Sequence, residues 1–321
     1  MTAALDRGAC VVSIDTEMAW GEAHRRPVTA AGRYGAEREV IDRILATLVR
    51  HGIGATWAVV GHLFLDRCSR PAGGAPPHPE VVRPDFGWLD GDWFDVDPCS
   101  TAADAPAWYG PDIVAALRDA PVAQEVGCHS FAHVMAGEPG CSREAFASDL
   151  AACRAVAGGP LRSFVYPRNS IGHVDELAAQ GFACFRGRPG PPFAAASPAR
   201  RAVLRAVDRL HPLAGSAVRP ARRPDGVWDV PQTFLFAPAT RRRRLPVAWW
   251  VRRPVARLRQ AAGERSLFHL WFHPHNVTAD RDRALAALDA VCAEAARLRD
   301  AGRLDVLTMG ALADRLSAVR R

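Results

Sequence analysis

At 321 residues, with 49% hydrophobic residues and nine tryptophans, the chain can bury a substantial core, which excludes wholesale disorder. The net charge is +7, but the sequence has no zinc-finger spacing, aromatic RNA-binding signature or helix-turn-helix pattern. We therefore expect no nucleic-acid partner. No apolar run approaches the roughly 20 residues that cross a bilayer and no export signal opens the chain, so we expect no transmembrane segment and a cytoplasmic location.

Short apolar runs rich in β-branched residues alternate with helix-like segments along the chain. The runs predict strands at Val11–Ile14, Ala55–Val60, Val122–Gly127, Arg162–Tyr166, Phe182–Arg186, Val227–Val230, Leu267–Phe272 and Leu304–Leu307. Helices are predicted at Glu37–His51, Arg143–Ala157, Val174–Gln180, Arg281–Ala301 and Ala311–Val319. Such alternation builds right-handed βαβ units, and the first strand lacks the GxGxxG turn of dinucleotide-binding folds. The sequence therefore predicts an α/β fold, a distorted parallel (β/α) barrel of seven or eight strands forming one domain over residues 8–321.

Two segments fit no simple βα unit and are predicted as long loop insertions, at residues 69–108 and 237–263. The first is rich in Pro, Gly, Asp and Trp, and it either caps the barrel edge or lines a sugar cleft with its aromatic rings. The second contains Arg241–Arg259, where arginines and tryptophans mix. That stretch either docks peripherally on an anionic membrane or forms an arginine-rich helix whose tryptophans pack into the barrel.

The cysteines suggest no disulfide framework. All eight are scattered through the chain without a CxxC pair, and several fall inside predicted strands or helices. We expect them to be buried, reduced side chains.

Two carboxylates, Asp15 and Glu17, directly follow the first predicted strand. Residues i and i+2 of a strand point to one side, and two carboxylates on one side repel unless a cation or a proton lies between them. The pair therefore suggests a cation site. A solvated acidic loop start, or a helix cap formed by Asp15, is the alternative.

A histidine pair, His129 and His133, follows the predicted strand that ends at Gly127. Histidines four residues apart can converge on one metal if the chain turns helically after the strand. Two neutral imidazoles and one carboxylate form a common catalytic zinc set that leaves a position open for water. A lone HxxxH is more often coincidence, but the rim of a parallel barrel would bring this pair near the carboxylates.

A third group of histidines lies on or after the strand Leu267–Phe272. His269 is inside the apolar run and is predicted to be a buried, hydrogen-bonded core residue. His273 is expected at the rim, where it is a candidate general acid because histidine titrates near neutral pH. His275 could orient His273, bind substrate or do neither.

Together these segments resemble a known family. The order SIDTE, HSFAH, FVYPRN and LFHLWFHPHN, with GHVDELAAQGFACFRG between the last two, is similar to the NodB-type polysaccharide deacetylases. The resemblance runs from about Val11 to Asn276. It is strongest to a bacterial subgroup linked to surface-glycan synthesis, in which the first motif contains DTE.

The resemblance implies a distorted barrel that hydrolyses the N-acetyl group of an amino sugar. By that resemblance Asp15 is the catalytic base, and Glu17 is a metal ligand. His129 and His133 complete the metal site, and His273 protonates the departing amine. Zn²⁺ is the expected ion, although Co²⁺, Ni²⁺ or Mn²⁺ suits the same ligands.

The third motif departs from the family pattern, because Val165 stands where relatives carry an arginine. Arg168 is therefore expected to orient Asp15 from a shifted position, and a backbone N–H near 167–169 to stabilise the oxyanion. Asp229 is a weak match to an acidic residue of the fourth motif. The residues expected to contact substrate are Tyr166, Pro167, Asn169, Trp20 and His275.

The substrate is expected to be an N-acetylated amino sugar that is free, nucleotide-linked, lipid-linked or part of a small glycosylated metabolite. A cytoplasmic protein could not reach finished wall polymer. Two alternatives stay open. One is a catalytically inactive glycan-binding relative, consistent with Val165, and the other is a metal-independent amide hydrolase or isomerase on the same barrel.

Overall fold

Ten strands form one curled sheet within the part of the chain that the computed structural model describes, residues 2–25, 31–188, 197, 199, 200, 203, 217–237 and 246–318. In chain order, β1 to β10 are Gly8–Thr16, Thr56–Val59, Glu125–Cys128, Ser163–Phe164, Cys184–Phe185, Ala221–Arg222, Trp228–Asp229, Phe234–Leu235, Leu267–Phe272 and Leu304–Leu307. All eight predicted strands overlap these elements. The two extra strands, β6 and β8, are only two residues long, and so short a run carries no readable period.

The sheet is centred on β1 and is almost entirely parallel. Its order is β6-β7-β5-β4-β3-β2-β1-β9-β8, and β6 pairs antiparallel with β7. Strand β9 pairs along residues 9–14 of β1, so β2 and β10 share the other edge of β1. Residues 230–233 connect β7, which is next to one end of the sheet, with β8 at the other end. This curled sheet confirms the predicted distorted (β/α) barrel.

Helices cover the outside of the sheet. In chain order, α1 to α8 are Ala31–Arg50, Pro111–Arg118, Arg143–Val156, Val174–Ala179, Val247–Glu264, His275–Thr278, Arg281–Asp300 and Met309–Ala318. Short 3-10 helices occupy Met18–Glu22, Gly61–Phe64, Trp93–Val96 and Pro167–Asn169. All five predicted helices are present. None of the described helices combines the length and the apolar character that crossing a bilayer requires.

Helix α5 occupies most of the segment predicted as the second loop insertion. It packs against α7 and β1, as a barrel helix does. Trp250 is buried, and Trp249 is partly buried against the core, so both rings belong to the interior. Residues 247–263 are therefore helical, as in the packed-tryptophan alternative for this stretch. Arg241–Arg244, on which membrane docking would depend, lie outside the described residues.

The first insertion, residues 69–108, forms a cap of turns around the 3-10 helix Trp93–Val96. Phe86, Trp93 and Phe94 belong to the main hydrophobic core. Trp88 is exposed, and its ring stacks on that of Phe86. Most of the aromatic rings of this segment therefore pack against the barrel, as expected of a cap.

The cysteines are all unpaired. Six are buried, as predicted, and they are Cys10, Cys128, Cys141, Cys153, Cys184 and Cys292. Cys68 and Cys99 are partly exposed and lie in or beside the cap. These two therefore differ from the expected core cysteines.

Candidate active site

Strand β1 carries both carboxylates to the C-terminal rim of the barrel. Asp15 is 2% exposed and Glu17 is 8% exposed. Their carboxylate groups lie on the same side, because the Nε2 atom of His273 is 3.5 Å from Asp15 Oδ2 and 3.3 Å from Glu17 Oε1. The prediction of two facing carboxylates at this strand end is met.

A buried arginine, Arg186, neutralises Asp15. Its Nη1 and Nη2 atoms donate to the two carboxylate oxygens of Asp15 at 2.5 and 2.6 Å. Nη1 also donates to Ser13 Oγ at 3.1 Å, and the guanidinium lies 4.5 Å from the ring centre of Trp271. Burial alone would raise the pKa of Asp15, but Arg186 and His273 outweigh burial and lower it. Asp15 is therefore held as a carboxylate in one orientation.

Arg168 does not orient Asp15, contrary to the expectation from the third motif. It lies at the rim with a left-handed backbone φ of 52° and hydrogen-bonds to His24 Nε2. Burial and the charge of Arg168 lower the pKa of His24 to about 4. The guanidinium that pairs with Asp15 thus comes from Arg186, directly after β5, and Val165 is buried among apolar side chains.

Glu17, His129 and His133, the three residues predicted to ligate a metal, lie close enough together to hold one ion. The Nε2 atoms of both histidines face the same oxygen, Glu17 Oε1, at 2.9 Å for His129 and 3.2 Å for His133. His129 must donate through Nδ1 to the carbonyl oxygen of Val165, 2.7 Å away, since a carbonyl only accepts. In a neutral imidazole this leaves a lone pair on Nε2, facing a carboxylate oxygen. Two acceptors at that distance require a proton or a cation between them.

A left-handed turn, not the expected helical turn, brings the two histidines together. Ser130 and His133 have φ values of 65° and 60°. Asp149 of α3 holds this turn, accepting from Ser130 Oγ at 3.0 Å and from the backbone N–H groups of Phe131 and Ala132 at 2.9 and 3.2 Å. Burial raises the pKa of Asp149 to about 6. The rings of His129 and His133 still converge, with their centres 5.2 Å apart.

His273 follows β9 and completes the group at the rim. Its backbone N–H donates to Asn276 Oδ1 at 3.0 Å, and its ring stacks on that of His275 at 4.6 Å. Burial alone would lower the pKa of His273, but the neighbouring Glu17 and Asp15 raise it to about 9. His273 is therefore protonated at neutral pH and carries a proton that it can donate.

A cavity of about 240 Å³ opens beside these groups. Its lining residues are Glu17, Met18, Gly21, Glu22, His24, Arg25, His133, Arg168, His273 and His275. It is mainly polar and includes two arginines and four histidines. The rim thus offers a pocket with room for a small polar substrate directly over the metal-ligating group.

Of the residues expected to contact substrate, His275 lines this cavity. Trp20 is fully buried and donates through Nε1 to the carbonyl oxygen of Trp108, and Tyr166 is buried with its hydroxyl donating to Gly172 O. Pro167 is also buried. The rings of Trp20 and Tyr166 pack against other aromatic rings, which take up the surfaces that a sugar would use. Asn169 is half-buried at the rim and its side chain lies outside the cavity lining.

His269 and Asp229 lie behind the site. His269 is fully buried between Ser13 Oγ and the carbonyl oxygen of Val230, as predicted for a core histidine. Burial and Arg186 lower its pKa to about 3. Asp229 packs against Gly187, and burial raises its pKa to about 6. Neither residue reaches the cavity.

Sequence reasoning missed three participants: Arg186, Asp149 and His24. Arg186 was the last residue of a predicted strand, and a charged residue ending a buried run was the available signal. Asp149 lies in the middle of a predicted helix, where a carboxylate ordinarily faces solvent. His24 falls in a short rim segment without a readable pattern. The roles of Asp149 and His24 can be recognised only from their contacts in the folded chain.

The fold has relatives among solved structures. No model of a known protein family matches the chain, and no curated protein sequence matches it. A crystal structure from Mycobacterium smegmatis, provisionally described as a polysaccharide deacetylase, is 14% identical and superposes with a TM-score of 0.61, covering 100% of this chain and 96% of that one. The two chains share one fold.

Weaker structural similarities involve proteins described as members of carbohydrate esterase family 4. One is a family 4 acetyl xylan esterase from Clostridium thermocellum in complex with cobalt, with 12% identity, a TM-score of 0.41 and coverage of 97% and 91%. Another is a pseudoenzyme of that family from Bacillus anthracis, with 14% identity, a TM-score of 0.40 and coverage of 96% and 66%.

Proposed function

We propose that the protein is a metal-dependent hydrolase that removes an N-acetyl group from an amino sugar. The observation that carries the proposal is the convergence, on one rim of the barrel, of three metal-ligating side chains with an arginine-paired aspartate and a protonated histidine. These side chains lie at the C-terminal ends of four strands, β1, β3, β5 and β9. The likeness to the NodB-type deacetylases in sequence, and to the Mycobacterium smegmatis protein in fold, supports the same reaction class.

Glu17, His129 and His133 would hold the ion. Their chemistry fits a divalent metal, because His129 places Nδ1 against a backbone carbonyl oxygen and turns Nε2 toward the Glu17 carboxylate. His133 faces Glu17 through its Nε2 atom. Its other ring nitrogen, Nδ1, is buried and has no hydrogen-bond partner among the described residues. When bound, Zn²⁺ or a similar ion would supply Lewis-acid polarisation of the amide carbonyl and lower the pKa of water.

Asp15 acts as the general base. It is a carboxylate at neutral pH, and its partner Arg186 fixes both of its oxygens. The pairing leaves Asp15 Oδ2 also within reach of the rim, 3.5 Å from His273 Nε2. A water molecule placed over Glu17 would therefore lose its proton to Asp15 as it attacks the amide carbon.

His273 acts as the general acid. Its Nε2 proton faces the two carboxylates, and the residue borders the cavity. Protonating the amine nitrogen makes it a neutral leaving group, so the C–N bond breaks to give acetate and a free amino sugar. Arg186 supplies the guanidinium that Val165 cannot, and this supports an active enzyme over an inactive glycan-binding relative.

The cavity lining favours a substrate with an anionic group. Arg25 and Arg168 are exposed at the cavity, where a sugar phosphate would find two guanidinium groups. Nucleotide-linked and lipid-phosphate-linked N-acetyl amino sugars carry such a phosphate, and free sugars do not. The Arg241–Arg259 stretch adds no support for a membrane-bound substrate, since its tryptophans pack into the core.

The test combines metal content with acetate release. Purified wild type, Asp15→Asn and His129→Ala are reconstituted with Zn²⁺, Co²⁺, Ni²⁺ or Mn²⁺, analysed by mass spectrometry, and incubated with free, nucleotide-linked and lipid-linked N-acetyl amino sugars. We expect Asp15→Asn to keep its metal and lose activity by about 10²–10⁴-fold. We expect His129→Ala to lose its activity and the metal ion of the Glu17 site. Asp175→Asn, a carboxylate variant on the exposed surface, is the matched control and should behave as wild type.

Two outcomes would overturn the proposal. A wild type that takes up no more metal than His129→Ala under any of these conditions would favour the metal-independent alternative. An Asp15→Asn variant with full acetate release would remove the base assignment, whatever the metal content.

A further inference from the structure

A second group of metal-binding side chains lies away from the active site, where the cap meets the barrel. It consists of His62, Cys68, His78 and Asp97, and each offers one ligand atom within 4.8 Å of the others. His62 is in the 3-10 helix after β2, and the other three come from the segment that follows it. The four positions are spread over 35 residues of chain, and the cap supplies His78 and Asp97.

The two histidines and the cysteine of this group each contact one oxygen of the Asp97 carboxylate. The Nε2 atoms of His62 and His78 both lie 3.0 Å from Asp97 Oδ2, and Cys68 Sγ lies 3.1 Å from the same oxygen. Asp97 and His62 are buried, and His78 is nearly so. This is the arrangement of the active-site group, in which two histidines also turn Nε2 toward one carboxylate oxygen.

The outer contacts of the histidines orient these nitrogen atoms. His62 Nδ1 lies 3.2 Å from the carbonyl oxygen of Trp108, which can only accept, so Nδ1 carries a proton. The Nε2 atom of a neutral His62 therefore presents a lone pair to Asp97. His78 Nδ1 lies 3.6 Å from a Glu80 carboxylate oxygen. Carbonyl and carboxylate partners of this kind are typical of metal-ligating histidines.

We propose that His62, Cys68, His78 and Asp97 form a structural zinc site that fixes the cap to the barrel. One thiolate, two imidazoles and one carboxylate provide four zinc ligands, and four protein ligands are typical of structural sites. The thiolate favours Zn²⁺ over the hard cations Mg²⁺ and Ca²⁺. Trp20, Phe94 and Phe131 surround the histidine rings, which excludes substrate.

The proposed site also touches the turn that carries the active-site histidines. The backbone N–H groups of Gly61 and His62 donate to the carbonyl oxygens of Ser130 and Phe131, each at 2.8 Å. Zinc at the cap would therefore stiffen one side of the turn between His129 and His133. The proposal does not depend on the deacetylase activity, because its ligands are separate from the active-site group.

The experiment counts zinc ions and detects the thiolate. Full-length wild type, His129→Ala, Cys68→Ala and the double variant are reconstituted with Zn²⁺ in the presence of a reductant and analysed by mass spectrometry. We expect two zinc ions per chain in wild type, one in each single variant and none in the double variant. Loaded with Co²⁺ instead, His129→Ala should show the thiolate-to-cobalt charge-transfer absorption in the near ultraviolet, and the double variant should not.

Cys99→Ser is the matched control, because Cys99 lies beside Asp97 but outside the ligand group. It should keep both zinc ions and, in the His129→Ala background, the charge-transfer absorption. One zinc ion in wild type, lost with His129, together with no charge-transfer absorption in His129→Ala, would overturn the proposal and leave a hydrogen-bonded cluster. If Cys68→Ala does not fold, the His129→Ala measurements decide alone.

Discussion

Arg186 and Asp15 form a buried ion pair that holds the Asp15 carboxylate in one orientation. Taking two charges out of water costs several kcal/mol per ion, and a bidentate pair with further hydrogen bonds offsets this cost. Ser13 and Trp271 supply those further contacts to the guanidinium. Arg186 is thus a positioning residue that acts through Asp15.

We predict that Arg186→Lys retains the positive charge but loses the two-point contact. Activity should fall about 10–100-fold, the usual effect of removing a partner of a catalytic group. Arg186→Met should also unfold more readily, by about 3–5 kcal/mol, because it leaves a buried carboxylate unpaired. Steady-state acetate release and urea unfolding measure the two effects. In an Asp15→Asn background, Arg186→Lys should change activity little, and an equally large drop there would argue against action through Asp15.

Asp149 supports the turn between His129 and His133 without contacting either histidine. We predict that Asp149→Ala lowers zinc affinity at the Glu17 site about 10–100-fold, by freeing three donors of the turn. Competition with a chromogenic chelator measures the affinity in a Cys68→Ala background. Ser142→Ala removes the N-cap of the same helix and should cost about 1 kcal/mol of stability without changing the affinity. Equal affinity losses in both variants would mean general destabilisation.

The sequence allowed some site residues to be predicted and not others, for physical reasons. Asp15, Glu17, His129, His133 and His273 each follow a recognisable buried run, so a local pattern places them at strand ends. Trp20 and Tyr166 lie close to these motifs in sequence, but packing turns their rings inward. The cap cluster escaped prediction because its ligands have irregular spacing and meet only in the folded chain.

At the scale of elements, strands were easier to predict than turns and helices. Continuous apolar runs identify the buried parallel strands, and β9 and β10 have the predicted bounds. Helix α5 was predicted only as one of two alternatives for its segment, because arginines and Pro254 interrupt its apolar face. The turn after β3 was predicted as helical, since nothing local to Ser130 and His133 announces their left-handed backbone.

The contact between β1 and α5 allows a test of element packing. A Cβ atom on Gly8 would lie 2.5 Å from the carbonyl oxygen of Ala261, within the helix backbone. We predict that Gly8→Ala lowers the free energy of unfolding by about 1–3 kcal/mol, the usual cost of overpacking. Gly35→Ala in α1 is the control, because a Cβ atom there meets nothing within 4 Å. It should stabilise by about 0.5–1 kcal/mol, and chemical denaturation of both variants would measure the difference.

For the whole molecule, the topology explains why one rim collects the charged groups. Parallel strands deliver their C-terminal ends to one side, and β1 lies between β2 and β9. Asp15 and Glu17 therefore face the turn after β3 and His273 after β9. This concentration of charge links the global stability of the protein to pH, because His273 gains its carboxylate neighbours only on folding.

We predict that the stability of the metal-free protein depends on pH through His273. The pKa of His273 is about 9 when folded against an ordinary value of 6.5, so its contribution is complete below pH 6.5 and is lost as the pH rises through about 9. At about 1.36 kcal/mol per pKa unit, the loss is at most about 3 kcal/mol. Urea unfolding of chelator-treated wild type and His273→Asn at a series of pH values measures the contribution of this residue.

We expect the stability advantage of wild type over His273→Asn to shrink steadily across that pH range. With zinc bound, Glu17 would share its charge with the ion, so the two proteins should differ less in their pH dependence. Parallel pH profiles of the two metal-free proteins would mean that the carboxylates do not hold a proton on His273. The general-acid assignment would then lose its electrostatic basis, even if the metal site were intact.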